Sequence, residues 1–424
     1  MRIPGRGGLR WEAIVGKARV VIVGGGGAGD SSAFGLREFG YDGEIVLVSA
    51  DTDRPYDRPY LSKEFLRGEI EASKVFLRDE GAYSANRIEL RLGRRVTGGS
   101  PAQRRVTLDD GTELAYDSLI LATGGTPRWL PGVPKSENVY TLRSLADGRI
   151  LRGALLESTR LLLLGAGFIG AEVGASARLL GKEVLMVEAA PVPLARALGE
   201  EVGKVYAGIH TAHGVDLRTG TTVAEWHTAG ERVNAVTLSD GSHEEIDLVV
   251  LGAGIEPNLE VPAALGLPTE GGGVVTDEGL RAVEAVYVAG DIAFHRHPVL
   301  GRRIRVEHWE VAKGQGAAVA RSLAQGHVPY DALPYFWSDQ YDVSLEYRGQ
   351  SSGEHDLVWR GDRDALSFSV FYMREGLLDA VLSINDGGTN QAAERLIQER
   401  RPIDPAVLAD TGSDLAALAS TPAE

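Results

Sequence analysis

An α/β fold is what the sequence predicts, with two dinucleotide-binding βαβ units and a C-terminal sheet-and-helix unit. Three observations carry that expectation. Val20-Val21-Ile22-Val23 runs into Gly24-Gly25-Gly26-Gly27-Ala28-Gly29, and Leu161-Leu162-Leu163-Leu164 runs into Gly165-Ala166-Gly167-Phe168-Ile169-Gly170. Both turns fit G-x-G-x-x-G between an apolar strand and a helix, the pattern that brings backbone N–H groups close to a pyrophosphate. Beyond about residue 328 the texture changes to alternating strand-like segments followed by one helical stretch.

Taken in order, the first glycine turn leads into a helix over 31–39 that Gly40 ends, then a strand over 44–48. Residues 49–59, rich in Pro, Asp and Arg, read as an irregular loop, and 61–66 as the start of a short helix. Strands follow over 88–92, 104–108 and 117–122. The second unit predicts a helix over 171–180 ended by Gly181, a strand over 184–188, then strands at 223–226, 233–238 and 247–251. Val286-Tyr287-Val288-Ala289-Gly290-Asp291 reads as a strand ending in a turn. In the last unit, 368–372 and 377–382 predict strands and 390–399 a helix, with the Ala-, Ser- and Thr-rich tail after Ser413 expected to fray. The organisation expected is 18–138 joined to 252–327, an inserted 139–251, and 328–412, with 1–17 and 413–424 flexible.

Composition narrows the chemistry. A net charge of −15 disfavours nucleic acid as a partner, because phosphates would be repelled. There is no cysteine, which excludes disulfides, thiolate metal sites, an iron–sulfur cluster of the chain's own and any redox-active Cys pair. No apolar run is long enough to span a bilayer. The basic segment 1–19 lacks the apolar core of a secretory signal, so a cytoplasmic setting is expected.

An acidic residue is expected about 20 residues beyond each glycine turn, on a ribose. Glu188 fills that slot in the second unit. Its carboxylate would accept from a 2′-hydroxyl and repel a 2′-phosphate, and no basic residue is close in sequence, which favours NADH over NADPH. In the first unit Asp51 is the candidate, beside Ala50.

Further motifs then follow in a distinctive order: Arg54-Pro55-Tyr56-Asp57-Arg58-Pro59 with Leu61-Ser62-Lys63, Ala122-Thr123-Gly124-Gly125, Gly254-Ile255-Glu256-Pro257-Asn258, Ala289-Gly290-Asp291, Glu307-His308-Trp309 and Phe336-Trp337-Ser338-Asp339-Gln340. From Val20 to about Asp410 the chain resembles the FAD-dependent, NADH-linked ferredoxin reductases that serve Rieske oxygenases and bacterial cytochromes P450. That resemblance implies two Rossmann-like dinucleotide-binding domains plus a C-terminal α+β domain, a glutathione-reductase-like architecture. It implies FAD on Gly24, Gly26 and Gly29, with Asp51, Asp291 and the Ala122-Thr123-Gly124 turn, and NADH on Gly165, Gly167, Phe168, Ile169, Gly170 and Glu188, with Gly254 nearby.

By the same resemblance Lys63 and Glu172 form a pair beside the flavin's reactive edge, and Trp337 faces the iron–sulfur partner with Trp309 bordering the ring system. Arg54, Arg58 and Arg128 are candidates to brace the FAD phosphates or adenine. Tyr60 stands where the family usually has a second proline, and His308 where many relatives carry a small residue; no acid–base role is assigned to His308. Hydride would pass from NADH to FAD and single electrons onward to an acidic [2Fe–2S] ferredoxin, which Arg296, Arg302, Arg303 and Arg305 could steer. Rubredoxin reductase, NADH oxidase and an apoptosis-inducing-factor-like NADH sensor remain alternatives that the sequence leaves open.

Overall fold

A computed structural model describes residues 18–351 and 353–420. The expected flexibility of 1–17 and of 421–424 falls outside those residues. The first sheet has six strands in the order Arg281–Val283, Val286–Val288, Ser118–Leu121, Arg19–Val23, Glu44–Val48, Ile88–Arg91. All its neighbouring strands run parallel except the first two, which are antiparallel. Its central strands are apolar on both faces because helices or further chain cover both, as parallel sheets require. Strand Val286–Val288 pairs with Ser118–Leu121, so the chain returns to the first sheet after building the second.

The second sheet is five-stranded and parallel: Asp216–Thr219, Glu183–Glu188, Arg160–Leu164, Leu248–Leu251, Val139–Thr141. In both sheets the glycine turn leaves a central strand, and its helix (Gly27–Glu38 or Phe168–Leu179) starts at the carboxyl edge. Ligands of open α/β sheets bind at that edge. The first helix begins four residues earlier than the sequence pattern predicts, because the loop's last glycines already form its first turn.

The third layer is an antiparallel five-stranded sheet ordered Tyr335–Gln340, Val343–Gly349, Leu377–Ile384, Ser367–Arg374, Asp356–Asp362. Helix Gly387–Glu399 packs on it. The tail departs from expectation: Leu415–Ser420 is a short helix rather than a frayed end. Leu415 is buried and Leu418 packs into the same cluster as Leu396 and Ile397, so the two leucines give this stretch an apolar stripe. Among the described residues, no helix is long and apolar enough to cross a membrane.

Candidate active site

A single continuous cleft of 1780 Å³ runs from the first glycine turn past the second to strand Tyr335–Gln340. Most of the expected site residues line it: Gly24, Gly26, Asp51, Lys63, the Ala122-Thr123-Gly124 turn, Arg128, Gly165, Gly167, Phe168, Ile169, Glu172, Glu188, Gly254, Asp291, Trp309 and Trp337. Gly29, Gly170 and Arg54 do not. Gly29 and Gly170 stand behind the turns as packing positions, where an added Cβ would come within 1.9 Å of Gly24 O and 2.0 Å of Gly165 O.

Gly24 is at φ +118°, and a Cβ there would meet Ala122 O at 2.0 Å, so the turn exists only with glycine. The helix N-termini at Gly26 and Gly167 are extended and lack side-chain caps. Their N–H groups are therefore available to an anionic ligand. Gly29→Ala is expected to abolish flavin retention, read as loss of the flavin's visible absorbance in purified protein, while Gly153→Ala, inside the helix Leu145–Glu157 with open space at Cβ, should retain it.

Arg58 is the cation over this turn. Its Nη2 lies 3.7 Å from the position a Gly26 Cβ would take, and it has no ion-pair partner among the described residues. Burial, then the neighbouring Arg143, lowers its pKa. A guanidinium that makes no ion pair, above a turn whose N–H groups are uncapped, is a donor set that suits a pyrophosphate. Arg54 instead turns away: its guanidinium sits 3.7 Å above the Phe76 ring and Nε donates to Arg78 O. Of the two arginines flanking the prolines, the structure brings Arg58 into the cleft and not Arg54.

Asp51 accepts from Tyr56 OH at 2.7 Å and from the Asp53 N–H, which fixes it at the cleft wall. Asp291 is paired with Arg143 at 2.5 Å. Arg143, which no sequence motif marks, also donates to Gly125 O. Thr123, Gly124 and Asn258 exchange hydrogen bonds across two crossing segments, which explains why the Ala122–Gly125 and Gly254–Asn258 motifs occur together. Arg128 closes the same crossing by donating to Ile255 O.

At the middle of the cleft Lys63 Nζ lies 2.6 Å from Glu172 Oε2, with the side chains 7% and 6% exposed. Ser62 donates to Glu172 Oε2 at 2.5 Å, and Ser338 donates to Oε1 at 2.7 Å. The pair expected from sequence is thus a buried, fully bonded ion pair. Its third donor, Ser338, comes from the C-terminal sheet and was not foreseen. One residue along the same strand, Trp337 lines the cleft, because side chains alternate faces. His308 stacks on Phe336 at 3.9 Å, and burial lowers its pKa to about 4, which keeps the ring neutral near pH 7. Trp309 packs against Gly27.

Glu188 is held by two backbone donors, Ala166 N–H at 2.7 Å and Ala190 N–H at 2.8 Å. The arginine run is held in place by neighbouring segments. Arg302 donates to Gln350 O, Arg303 to Thr276 O and Phe294 O, and Arg305 to Asp291 O and the Glu307 carboxylate. Arg296 lies 3.5 Å from Glu278. Bonds to carbonyls leave the charges of Arg302 and Arg303 in place, and Arg296 and Arg303 are exposed; of the run, Arg305 lines the cleft.

The pyridine nucleotide-disulphide oxidoreductase model matches residues 18–316, and a reductase C-terminal model matches 335–419. The chain belongs to the pyridine nucleotide-disulphide oxidoreductase family. It is 39% identical over 393 residues to the ferredoxin--NAD(+) reductase component of the anthranilate 1,2-dioxygenase system of Burkholderia cepacia, covering 92% of this chain and 96% of that one. It is 38% identical to putidaredoxin reductase of Pseudomonas putida, covering 92% and 94%. Among solved structures it is similar to the covalent putidaredoxin reductase–putidaredoxin complex, with a TM-score of 0.92 and 36% identity over 96% of this chain and 99% of that one. The ferredoxin reductase of the CYP199A2 system from Rhodopseudomonas palustris gives 0.91 and 34%, covering 95% and 100%. Despite the family's name, this member has no cysteine and so no dithiol to cycle.

Proposed function

We propose that the protein is an FAD-dependent NADH:ferredoxin oxidoreductase that supplies electrons to an oxygenase or cytochrome P450 through a [2Fe–2S] ferredoxin. In this reading 18–138 with 252–327 holds FAD, 139–251 holds NADH, and 328–412 covers the flavin and meets the ferredoxin, in the cytoplasm where reduced nicotinamide is made. The observation that carries it is the buried Lys63–Glu172 pair, set in one cleft with both glycine turns and with Trp337.

The donor set suits FAD: the first turn's N–H groups and Arg58 for the pyrophosphate, Asp51 and Asp291 for hydroxyls. When bound, FAD accepts a hydride from NADH and releases electrons one at a time. Lys63 holds a positive charge at the cleft wall, and Glu172, with three donors of its own, fixes its position. Phe168 and Ile169, at the start of the second turn's helix, line the cleft, and Phe168 packs edge-on against Phe336 of the C-terminal sheet. Glu188 accepts from the ribose of NADH.

The test is anaerobic: NADH, purified yellow protein, a [2Fe–2S] ferredoxin and cytochrome c. Cytochrome reduction that depends strongly on ferredoxin is the expected result. NADH consumption that several ferredoxins fail to accelerate, but that oxygen does, would assign an oxidase instead.

A further inference from the structure

The hydroxyl of Tyr56 joins two parts of the molecule that are far apart in sequence. Its ring is 4% exposed and packs in the apolar cluster that holds Leu61, Phe65, Val75, Leu145 and Leu151. The backbone is pinned as well. Tyr56 bridges Phe76, with the Leu77 N–H donating to Pro55 O and the Asp57 N–H to Val75 O. A phenol held this firmly places its oxygen with little freedom. That oxygen accepts from the Leu145 N–H at 3.0 Å and donates to Asp51 Oδ2 at 2.7 Å.

The groups at the two ends fix the direction of these bonds. A backbone N–H can only donate and a carboxylate can only accept, so the phenolic proton lies between Tyr56 and Asp51. Burial pushes the Tyr56 pKa up to about 12, which keeps that proton on the phenol at neutral pH. Leu145 is the first residue of the helix Leu145–Glu157, whose N-cap Ser144 receives the Asp147 N–H. The Leu145 N–H has no partner within the helix, and Tyr56 OH is the acceptor it meets. The positive end of the helix dipole thus reaches Asp51 through one hydroxyl, and each bond polarises the other.

Asp51 lines the cleft, and its other oxygen accepts from the Asp53 N–H at 3.0 Å. Each carboxylate oxygen therefore keeps a lone pair for a ligand. Two neighbouring acceptors of this kind suit the two adjacent hydroxyls of a ribose. Asp53 adds a second tie to the same helix, taking both ends of the Arg149 guanidinium at 2.6 and 3.0 Å. Neither Asp53 nor Arg149 lines the cleft.

We infer that Tyr56 is a positioning residue: it ties Asp51 to the N-terminus of the helix Leu145–Glu157 and so sets that carboxylate to accept from the ribose hydroxyls of the FAD adenosine. The inference rests on the flavin reading above. It gives the first helix of the nicotinamide-binding unit a part in holding the other cofactor.

The test uses the full chain stripped of flavin, titrated with FAD and with an FAD analogue built on 2′,3′-dideoxyadenosine. The parent should prefer FAD. Tyr56→Phe, which keeps the ring in the core, is expected to narrow that preference about tenfold, the size of a lost bond to a charged group. In Asp51→Ala the preference should vanish, and adding Tyr56→Phe should change it no further. Arg149→Ala cuts the neighbouring tie without touching Asp51, so it should lower the melting temperature and leave the preference intact. One readout needs no variant: in the parent, FAD should slow hydrogen exchange at the Leu145 amide more than the analogue does. A parent that binds the two flavins equally, equal losses for both in Tyr56→Phe, a Tyr56→Phe effect that persists in full without Asp51, or equal protection of the Leu145 amide would each overturn the role and leave Tyr56 a packing residue. A parent that takes up neither flavin would instead overturn the flavin reading itself.

Discussion

Lys63→Met is expected to destabilise the protein by about 3–5 kcal/mol and to slow bleaching of its flavin by NADH by about 10²–10³-fold. The stability loss follows from what is left behind. Glu172 would keep its Ser62 and Ser338 donors but lose its counter-charge while 6% exposed. Removing one partner of a buried pair strands a charge that water no longer solvates. The rate loss follows from geometry: Lys63 is the cation of this pair and it lines the cleft. The two effects separate in Lys63→Met/Glu172→Leu. Apolar side chains of similar volume should restore most of the melting temperature, since a buried pair is often no more stabilising than a packed apolar substitute. The bleaching rate should stay low. Thermal melting and anaerobic stopped-flow of the single and double variants decide the matter; a double variant that recovers both would reduce the pair to a structural bridge.

Much of this site was legible in the sequence, and the parts that were not share a cause. The glycine turns, the flanking strands and the acid slot of Glu188 are local patterns, each dictated by the backbone around it. Lys63 and Glu172 were legible only through the resemblance, because nothing local says that a residue at the end of a 3₁₀ turn meets one on the helix Phe168–Leu179 more than 100 residues away. Ser338 sits in a motif that gives it no role of its own, and Arg143 lies in none: their roles arise where the third sheet and the segment before the helix Leu145–Glu157 reach the cleft. Arg54 and Arg58 flank prolines in the same loop, and composition treats them alike. The 3₁₀ turn Arg58–Ser62, with Pro59 at its start, directs Arg58 inward, while the Phe76 face captures Arg54. The run from Arg296 to Arg305 reads as a charge cluster, but the carbonyls that orient it come from other segments, among them Gln350, Thr276 and Gly271, and are invisible in its own sequence. Charge in sequence counts cations; only the fold shows which are already bonded.

Glu188→Ala combined with Ala190→Arg is expected to raise the NADPH-to-NADH ratio of kcat/KM by about two to three orders of magnitude. Glu188 is pinned at both oxygens by the Ala166 and Ala190 N–H groups, so it cannot swing away from an incoming 2′-phosphate. Like charges about 4 Å apart repel by roughly 1–4 kcal/mol for effective dielectric constants between water and a protein surface. Each 1.4 kcal/mol is about tenfold in affinity. Deleting the carboxylate removes that repulsion, and a guanidinium at 190 adds a charge-assisted bond of similar size. Sequence proximity suggested no cation near this slot, but Arg196 is exposed, lines the same cleft and has no ion-pair partner among the described residues. Glu188→Ala alone should therefore already admit NADPH, and adding Arg196→Ala should take part of that gain away. NADH use should fall as well, because the Ala166 N–H in the second glycine turn loses its acceptor. Steady-state kinetics with both coenzymes on FAD-saturated variants measure all of this, and an unchanged ratio in the Glu188→Ala/Ala190→Arg protein would show that Glu188 does not read the 2′ position.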